Sequence, residues 1–404
     1  MSYKIRHLVI ENNKQAQEEF SKIKATPQGI NIMSSKLFNL VLKIKDVDNR
    51  AVNILKQEML SRDGEVVTCR ESLSSCEGKS DIIIFGTKKK VYSLIEKIKL
   101  QPFGLKVLAQ DLENFLSNYY SSGQRKFLNI SRKSFDLENE VIIMGILNVT
   151  PDSFYDGGKY LKSEDAYKRI DQLVNEGAHI IDIGGMSTRP GSEEINIEEE
   201  INRTIFLVKY IKKNYDNLVS IDTYRSEVAE RALDAGCDIV NDISGFTFDD
   251  NMKRVVSNYK ASCVLMHIKG TPRDMQKNPE YGDVIEEIYD YLFAQVNVAL
   301  NAGIDKEKII VDPGIGFGKT MQHNFIVLKK IEELKSLGCP ILVGASRKSF
   351  IGNFLNLSPD DRLEGSLAIA AYCVHKGVSI LRVHDVKGTI RAVRLIKAIE
   401  NQQT

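Results

Sequence analysis

A (β/α)8 TIM barrel preceded by a smaller α/β or α+β domain is the fold class this sequence predicts. Three observations carry it. From residue 141 onward, short runs rich in β-branched residues each end in a polar cluster and lead into an amphipathic stretch. Runs of four to six apolar residues suit parallel strands buried on both faces. Eight such units fit into about 260 residues, the size of a closed barrel, and their even spacing favours closure over an open sheet. Residues 1–120 follow a different rhythm, with RHLVIEN, LFNLVLKIK, GEVVTCRE, SDIIIFG and LKVLAQ alternating with Lys-rich helical stretches.

In chain order, the first 120 residues read as a domain of their own. Residues 121–133, SSGQRKFLNISRK, are polar and basic and read as a linker. SFDLENE (134–140) reads as a small hairpin beneath the barrel, which then occupies 134–404. The expected strands are VIIMGILNV, HIIDIGG, LVSIDT, DIVNDI, SCVLMH, KIIVDPG, PILVGAS and SILRVH. Stretches such as SEDAYKRIDQLVNEG and YRSEVAERALDAG supply the helices between them, several stopped by a glycine just before the next strand.

Composition narrows the function classes. The net charge of +1 argues against a dedicated nucleic-acid or membrane-surface binder. The sign is uneven, about +8 over residues 1–132 and about −7 over the rest, which reads as a lysine-rich solvated surface. The cysteines at 69, 76, 237, 263, 339 and 373 form no C-x-x-C pair, as reduced thiols of a cytoplasmic protein would. The N-terminus MSYKIRHLVIENNK lacks an apolar core for a signal peptide, and no apolar run is long enough for a membrane span.

In such a barrel the reactive groups stand at the C-terminal ends of the strands. There the eight strands deliver, in order, Asn148; Thr188 and Arg189; Asp222; Asn241 and Asp242; Met266 and His267; Asp312; Ser346 to Ser349; and Arg382 with His384. A lone Asp or Asn after a strand is usually a helix cap or an Asx-turn. Asp242 fits that bland role, and Asp182 reads as a turn brace. His267 by itself reads as a structural histidine. Convergence of all eight ends on one face speaks for function. Asp222, Asn241, Asp312 and Lys348 combine donors and acceptors that suit a flat heterocycle with a guanidine-like edge. Arg382, His384, Thr188 and Asn148 suit an anion with a metal.

The segment PGIGFGKT (313–320) mimics a phosphate-binding loop. That motif needs glycine at 313, where this chain has proline. Its glycines are expected instead to let backbone approach a flat ligand, with Phe317 against it.

Taken together, MGILNVTPDSFYDGGKY, IDIGGMSTRPGS, SIDT, VNDISG, VLMHIKGTP, DPGIGFGK, GASRKSFIG and LRVHD resemble the dihydropteroate synthase family, in order over residues 134–401. The resemblance implies condensation of 6-hydroxymethyl-7,8-dihydropterin pyrophosphate with p-aminobenzoate, releasing pyrophosphate, with Mg2+ as cofactor. It implies that Asp312 and Asn241 read the pterin edge, Lys348 its carbonyl, Met266 the pocket wall, and Arg382 the ring face. Asn148 would ligate Mg2+, with Thr188, Arg382 and His384 around pyrophosphate. Phe154, Arg189, Pro190, Phe317 and Ser349 would frame p-aminobenzoate or a sulfonamide mimic. Asp222 would stabilise the cation left on the methylene. Among these, Asp222, Thr188, Arg189, Lys348, Arg382 and His384 are the expected catalytic groups. A homodimer through the barrel helices is expected too.

The family core usually stands without an extension like residues 1–133, and Met186 replaces an acidic residue that many members carry. Rival readings are a pterin-dependent methyltransferase acting on a corrinoid protein, a non-catalytic pterin binder, and a synthase using a different arylamine. The long loop after the first strand and the SRKS and RVH clusters favour the synthase over the methyltransferase.

Overall fold

The computed structural model describes residues 3–75, 77–122, 127–149, 159–187 and 194–402. They fall into two compact units, 1–117 and 118–403.

The first unit is built on three strands, β1 (Asn39–Asp48), β2 (Glu65–Thr68) and β3 (Lys79–Thr87). β3 lies between the other two and is antiparallel to both. Alternation puts Leu40, Leu42, Ile82 and Ile84 on one buried face. The helices Asn49–Leu60 and Lys88–Ile98 carry buried Val52, Leu55, Met59, Val91, Leu94, Ile95 and Ile98. Two of the expected strands do not form. LKVLAQ lies in the helix Leu105–Ser122, where Leu105, Ala109, Leu112 and Leu116 recur at helical spacing and are buried. RHLVIEN stays outside the sheet, and Ile5 and Val9 beside and within it are 93% and 75% exposed. With no described strand beside it, this exposed run takes its backbone hydrogen bonds from water instead of from a sheet.

The second unit opens with a hairpin, β4 (Phe127–Ile130) and β5 (Lys133–Asp136), in antiparallel register from Phe127↔Asp136 to Ile130↔Lys133. Eight parallel strands follow: β6 (Ile142–Asn148), β7 (Ile180–Gly184), β8 (Leu218–Asp222), β9 (Ile239–Asp242), β10 (Ser262–Met266), β11 (Ile309–Asp312), β12 (Leu342–Val343) and β13 (Ile380–Val383). Their order is β11-β10-β9-β8-β7-β6-β13-β12. A parallel bridge Val311↔Ile341, with Val311 N–H donating to Pro340 O at 3.0 Å, joins the two ends and closes the barrel.

Strand periodicity sorts each strand's residues to opposite faces. Ile181, Ile183, Val219, Ile221, Val240, Cys263 and Leu265 belong to the large outer core under the helices. Ile142, Met144, Ile180, Leu218, Ile239, Val264, Ile310, Leu342 and Ile380 form a separate inner cluster to which all eight strands contribute. Leu128, Ile130 and Phe135 of the hairpin complete that cluster. The hairpin is therefore a plug in the floor of the barrel. The expected linker 121–133 is corrected at this point, because its second half supplies β4. Its apolar residues Leu128 and Ile130 alternate and are buried, so they cannot lie in a solvated tether.

Removing part of this plug leaves a cavity that the rigid strand ends cannot collapse into. Leu128→Ala should destabilise the barrel by about 2–4 kcal/mol. Chemical denaturation followed by a barrel-specific probe reads this directly, and a loss under about 0.5 kcal/mol would mean the hairpin packs loosely.

Candidate active site at the mouth of the barrel

The same periodicity that fills the floor with apolar side chains lifts polar ones above it. Counting by twos from Ile180, Leu218, Ile239, Ile310 and Ile380 reaches Asp182, Ser220 and Asp222, Asn241, Asp312 and Arg382.

Arg382 is the central charge. Its Nε donates to Asp182 Oδ2 at 2.7 Å, and its Nη2 lies 2.6 Å from both Asp182 Oδ2 and Asp222 Oδ2. Asn241 Nδ2 sits 3.4 Å from each Asp182 oxygen. A buried ion is tolerated only when paired and hydrogen-bonded, and here one guanidinium is shared by carboxylates from β7 and β8. Burial works against the Arg382 cation, yet Asp182 and Asp222 outweigh it and raise its pKa. Burial also raises the Asp222 carboxyl, helped by the nearby charges of Asp182 and Glu200 and opposed by Arg382.

Across the mouth, Asp312 Oδ1 accepts Gly314 N–H at 2.7 Å. Burial raises the Asp312 pKa, against the pull of the Lys348 cation. Burial in turn lowers Lys348 to about 8, against the pull of Asp312. The Lys348 ammonium donates to the Ile315 carbonyl and stands 4.4 Å over the Phe317 ring. Met266 packs with Ile243, Ile268 and Met275, flanked by Tyr224 and Phe317, and gives the mouth an apolar wall. Acceptors, donors and a flat wall in this combination can hold a planar heterocycle by its polar edge.

His384 is fastened to Ser346, whose Oγ accepts the His384 backbone N–H at 3.2 Å and lies 3.1 Å from Nδ1. Burial, with Arg382 and Arg347 nearby, lowers the His384 pKa to about 4. Asn148 ends β6 opposite Gly184, where a Cβ would stand 3.2 Å from Asn148 Oδ1. Ser349 is exposed at the first turn of the helix Ser349–Leu355. Arg347 holds Asp385 through Nε at 2.8 Å and Nη2 at 2.6 Å.

Of the residues singled out in the sequence, Asn148, Asp222, Asn241, Met266, Asp312, Phe317, Lys348, Arg382 and His384 come from strand ends of one mouth. Phe154, Thr188, Arg189 and Pro190 lie outside the described residues. Asp242 is structural as expected: its oxygens accept Ser244 N–H, Ser244 Oγ and Phe246 N–H at 2.7, 2.7 and 2.9 Å. His267 is structural too, buried beside Lys319 with its pKa lowered by burial to about 2.

Two expectations are corrected. Asp182 braces no turn. It is fully buried inside the barrel and holds Arg382, and its parity with Ile180 was the signal for this. Gly314 and Gly318 of 313–320 meet protein backbone, whereas a Cβ on Gly316 would come within 3.0 Å of the Lys348 side chain at the mouth. A Cβ on Gly314 would come within 1.9 Å of His267 O, and one on Gly318 within 2.4 Å of Lys269 O. In a phosphate loop the N–H groups turn inward. Here the carbonyls of Gly314 and Phe317 do, toward Lys319 Nζ at 2.9 and 3.0 Å.

Comparison with known proteins agrees with this geometry. Residues 144–384 match the family model described as pterin binding enzyme. A dihydropteroate synthase of Synechocystis is 45% identical over 273 residues, 67% of this chain and 94% of that one. A crystal structure of the Yersinia pestis dihydropteroate synthase with a sulfonamide drug complex aligns with a TM-score of 0.65 at 36% identity, covering 68% of this chain and 100% of that chain. A probable bifunctional folylpolyglutamate synthase/dihydropteroate synthase of Halobacterium salinarum is 36% identical over 388 residues, 95% of this chain and 46% of that one. That match reaches into the N-terminal unit. Fold and mouth thus define an enzyme of the pterin-binding barrel class. Within that class, the chain belongs to the dihydropteroate synthase family.

The His384 shift has a testable sign. Its folded pKa of about 4 lies below the ordinary 6.5. Between those values the unfolded chain binds the proton and the folded chain does not, so stability falls as pH drops from 6.5 toward 4. The change is at most about 3 kcal/mol. NMR titration of the ring, together with the pH dependence of the stability difference between wild type and His384→Gln, should show it. A ring titrating near 6.5 would contradict the burial.

Proposed function

We infer that the barrel joins 6-hydroxymethyl-7,8-dihydropterin pyrophosphate to p-aminobenzoate, giving 7,8-dihydropteroate and pyrophosphate. The observation that carries this reading is the mouth itself, where Asp312, Asn241, Lys348 and the Asp182–Arg382–Asp222 cluster surround one apolar-walled opening. The Asp312 carboxylate pairs with the adjacent N–H groups of the pterin, and Asn241 completes the edge. Lys348 donates to the ring carbonyl. Arg382, held flat by its two carboxylates, stacks on the ring, with Met266 on the wall.

The bond to break joins a methylene to a pyrophosphate oxygen. Charge leaves with the pyrophosphate, and a cation remains that the electron-rich ring spreads. Arg382 offsets the departing charge. The Asp222 carboxylate, close to that ring, stabilises the cation without bonding to it. The arylamine nitrogen is unprotonated near neutral pH, so it attacks without a strong general base. Neutral His384 donates an N–H to the leaving group, a role that its low pKa favours. Thr188 joins it there. Phe154, Arg189, Pro190, Phe317 and Ser349 frame the arylamine.

Mg2+ fits this donor set. Among the described residues no three His, Cys, Asp or Glu side chains gather as a metal cage. Mg2+ commonly takes one or two protein oxygens and completes its shell with phosphate and water. Asn148 Oδ1 is such an oxygen, and the missing side chain of Gly184 leaves it room. Bound there, the ion would neutralise pyrophosphate charge.

The same reading includes a homodimer through the barrel helices. Phe325, Ile326, Phe354 and Leu355 are exposed on neighbouring helices, with the Phe325 and Phe354 rings 5.2 Å apart. Sedimentation at micromolar concentration reads this, and a monomer would remove it. We place the protein in the cytoplasm. Among the described residues no helix is long and apolar enough to cross a membrane, and Cys69, Cys237, Cys263 and Cys373 form no disulfide.

Pyrophosphate release measured over a panel of arylamines tests the reaction. No turnover with p-aminobenzoate, or faster turnover with another arylamine, would overturn the substrate assignment. Calorimetry on two variants tests the roles. Asp312→Asn should lose about 2–4 kcal/mol of pterin affinity, because an amide offers a donor where a ring N–H needs an acceptor. Asn148→Ala should bind pterin as wild type does. It should lose the Mg2+-dependent and pyrophosphate-dependent tightening of p-aminobenzoate. Unchanged affinities in both variants would refute these assignments.

A further inference from the structure

Lys319 has no task in the chemistry above, yet it is only 3% exposed. It ends the glycine-rich loop that the sequence motif singles out. Its Nζ lies 2.9 Å from Gly314 O, 3.0 Å from Phe317 O and 2.9 Å from His267 Nδ1. Three partners suit either proton count. An ammonium donates to all three, whereas an amine donates to the two carbonyls and accepts from an Nδ1–H.

The loop that it closes is unusual in its backbone. Gly314, Gly316 and Gly318 have φ of +66°, +81° and +61°, so nothing intrinsic confines the chain to this path. Its shape comes from its partners: Asp312 and Asn324 accept the Gly314 and Gly316 N–H groups at 2.7 Å each, Phe317 N–H closes a turn onto Gly314 O at 3.0 Å, and outside donors take the carbonyls. Lys348 takes the Ile315 carbonyl, Gln276 the Gly316 carbonyl at 2.7 Å, and Tyr281 the Gly318 carbonyl at 2.7 Å. Lys319 takes the two that point inward and ties them to β10 through His267. The loop presents two groups to the mouth: the Phe317 ring under Lys348, and the Ile315 carbonyl that holds the Lys348 ammonium.

We propose that Lys319, braced by His267, is a positioning residue that pins this loop from inside, so that Phe317 and Lys348 stand where the substrate needs them. The proposal rests on the pterin-site reading given above. It assigns the near-match to a phosphate loop a purpose of opposite polarity: the lysine is the ligand, and the loop's own carbonyls bind it.

Lys319→Met keeps the length of the side chain and removes every donor. Amide hydrogen exchange on the ligand-free protein should accelerate about tenfold or more over 314–318, while the amides of β7 to β10 exchange as in wild type. In steady-state turnover, KM for the dihydropterin substrate should rise about tenfold with kcat within about threefold. A variant that merely folds less well would lose kcat through a smaller active fraction and keep KM. If Lys319→Met does not fold, His267→Phe removes one of the three partners and keeps a ring in place. It should change exchange and KM in the same direction by a smaller factor. Unchanged loop exchange in the variant that folds would overturn the proposal, as would faster exchange with unchanged KM. If wild-type protein shows no turnover of the dihydropterin, the functional reading fails, and the exchange result alone then judges the pin.

Discussion

A cation inside a barrel dictates what must stand beside it. Arg382 projects into the interior from β13, and its guanidinium can survive there only if carboxylates meet it. Asp182 from β7 and Asp222 from β8 do so, and Asn241 from β9 supports Asp182. β7, β8 and β9 are neighbours in the sheet and β6 separates them from β13, so the cluster ties together the register of these four strands. A slip of one residue would turn Asp182 and Asp222 into the outer apolar core. The interaction that makes the site is thus also a specification of the fold.

A second constraint comes from below. The inner cluster is apolar and complete only with Leu128, Ile130 and Phe135, so the interior passes from a dry floor to a charged mouth. That gradient explains the shifted groups. Asp222, Asp312, Lys348 and His384 are all moved chiefly by burial, and each is then pulled back or pushed further by charges within the same opening. A ligand that brought its own complementary charge and hydrogen bonds would relieve several of these costs together. This is how a preformed polar mouth favours one shape and charge pattern of ligand over others.

The glycine-rich segment shows how a motif can be right in residues and wrong in sense. Its Gly-Lys-Thr ending suggested phosphate, and Pro313 argued against it. The resolution lies in backbone direction, which composition does not report. With carbonyls turned inward, the loop attracts a cation, and the chain supplies its own in Lys319.

Much was legible without coordinates. Short β-branched runs followed by amphipathic stretches specify parallel strands buried on both faces, and eight of them specify closure, because local periodicity is a local property. The polar residues at the strand ends were legible for the same reason: Asn148, Asp222, Asn241, Asp312, Lys348 and Arg382 each sit where a strand pattern stops. What needed the tertiary structure was every question of partner. LKVLAQ could be strand or helix until its buried positions were known. Residues 127–130 looked like linker until the barrel floor offered them a place to bury. Asp182, read as a turn brace, became the anchor of Arg382 across 200 residues of chain. Sequence by itself determined which residues alternate and where each element ends. Only the closed barrel decided which of those residues meet, because burial and pairing depend on neighbours far away along the chain.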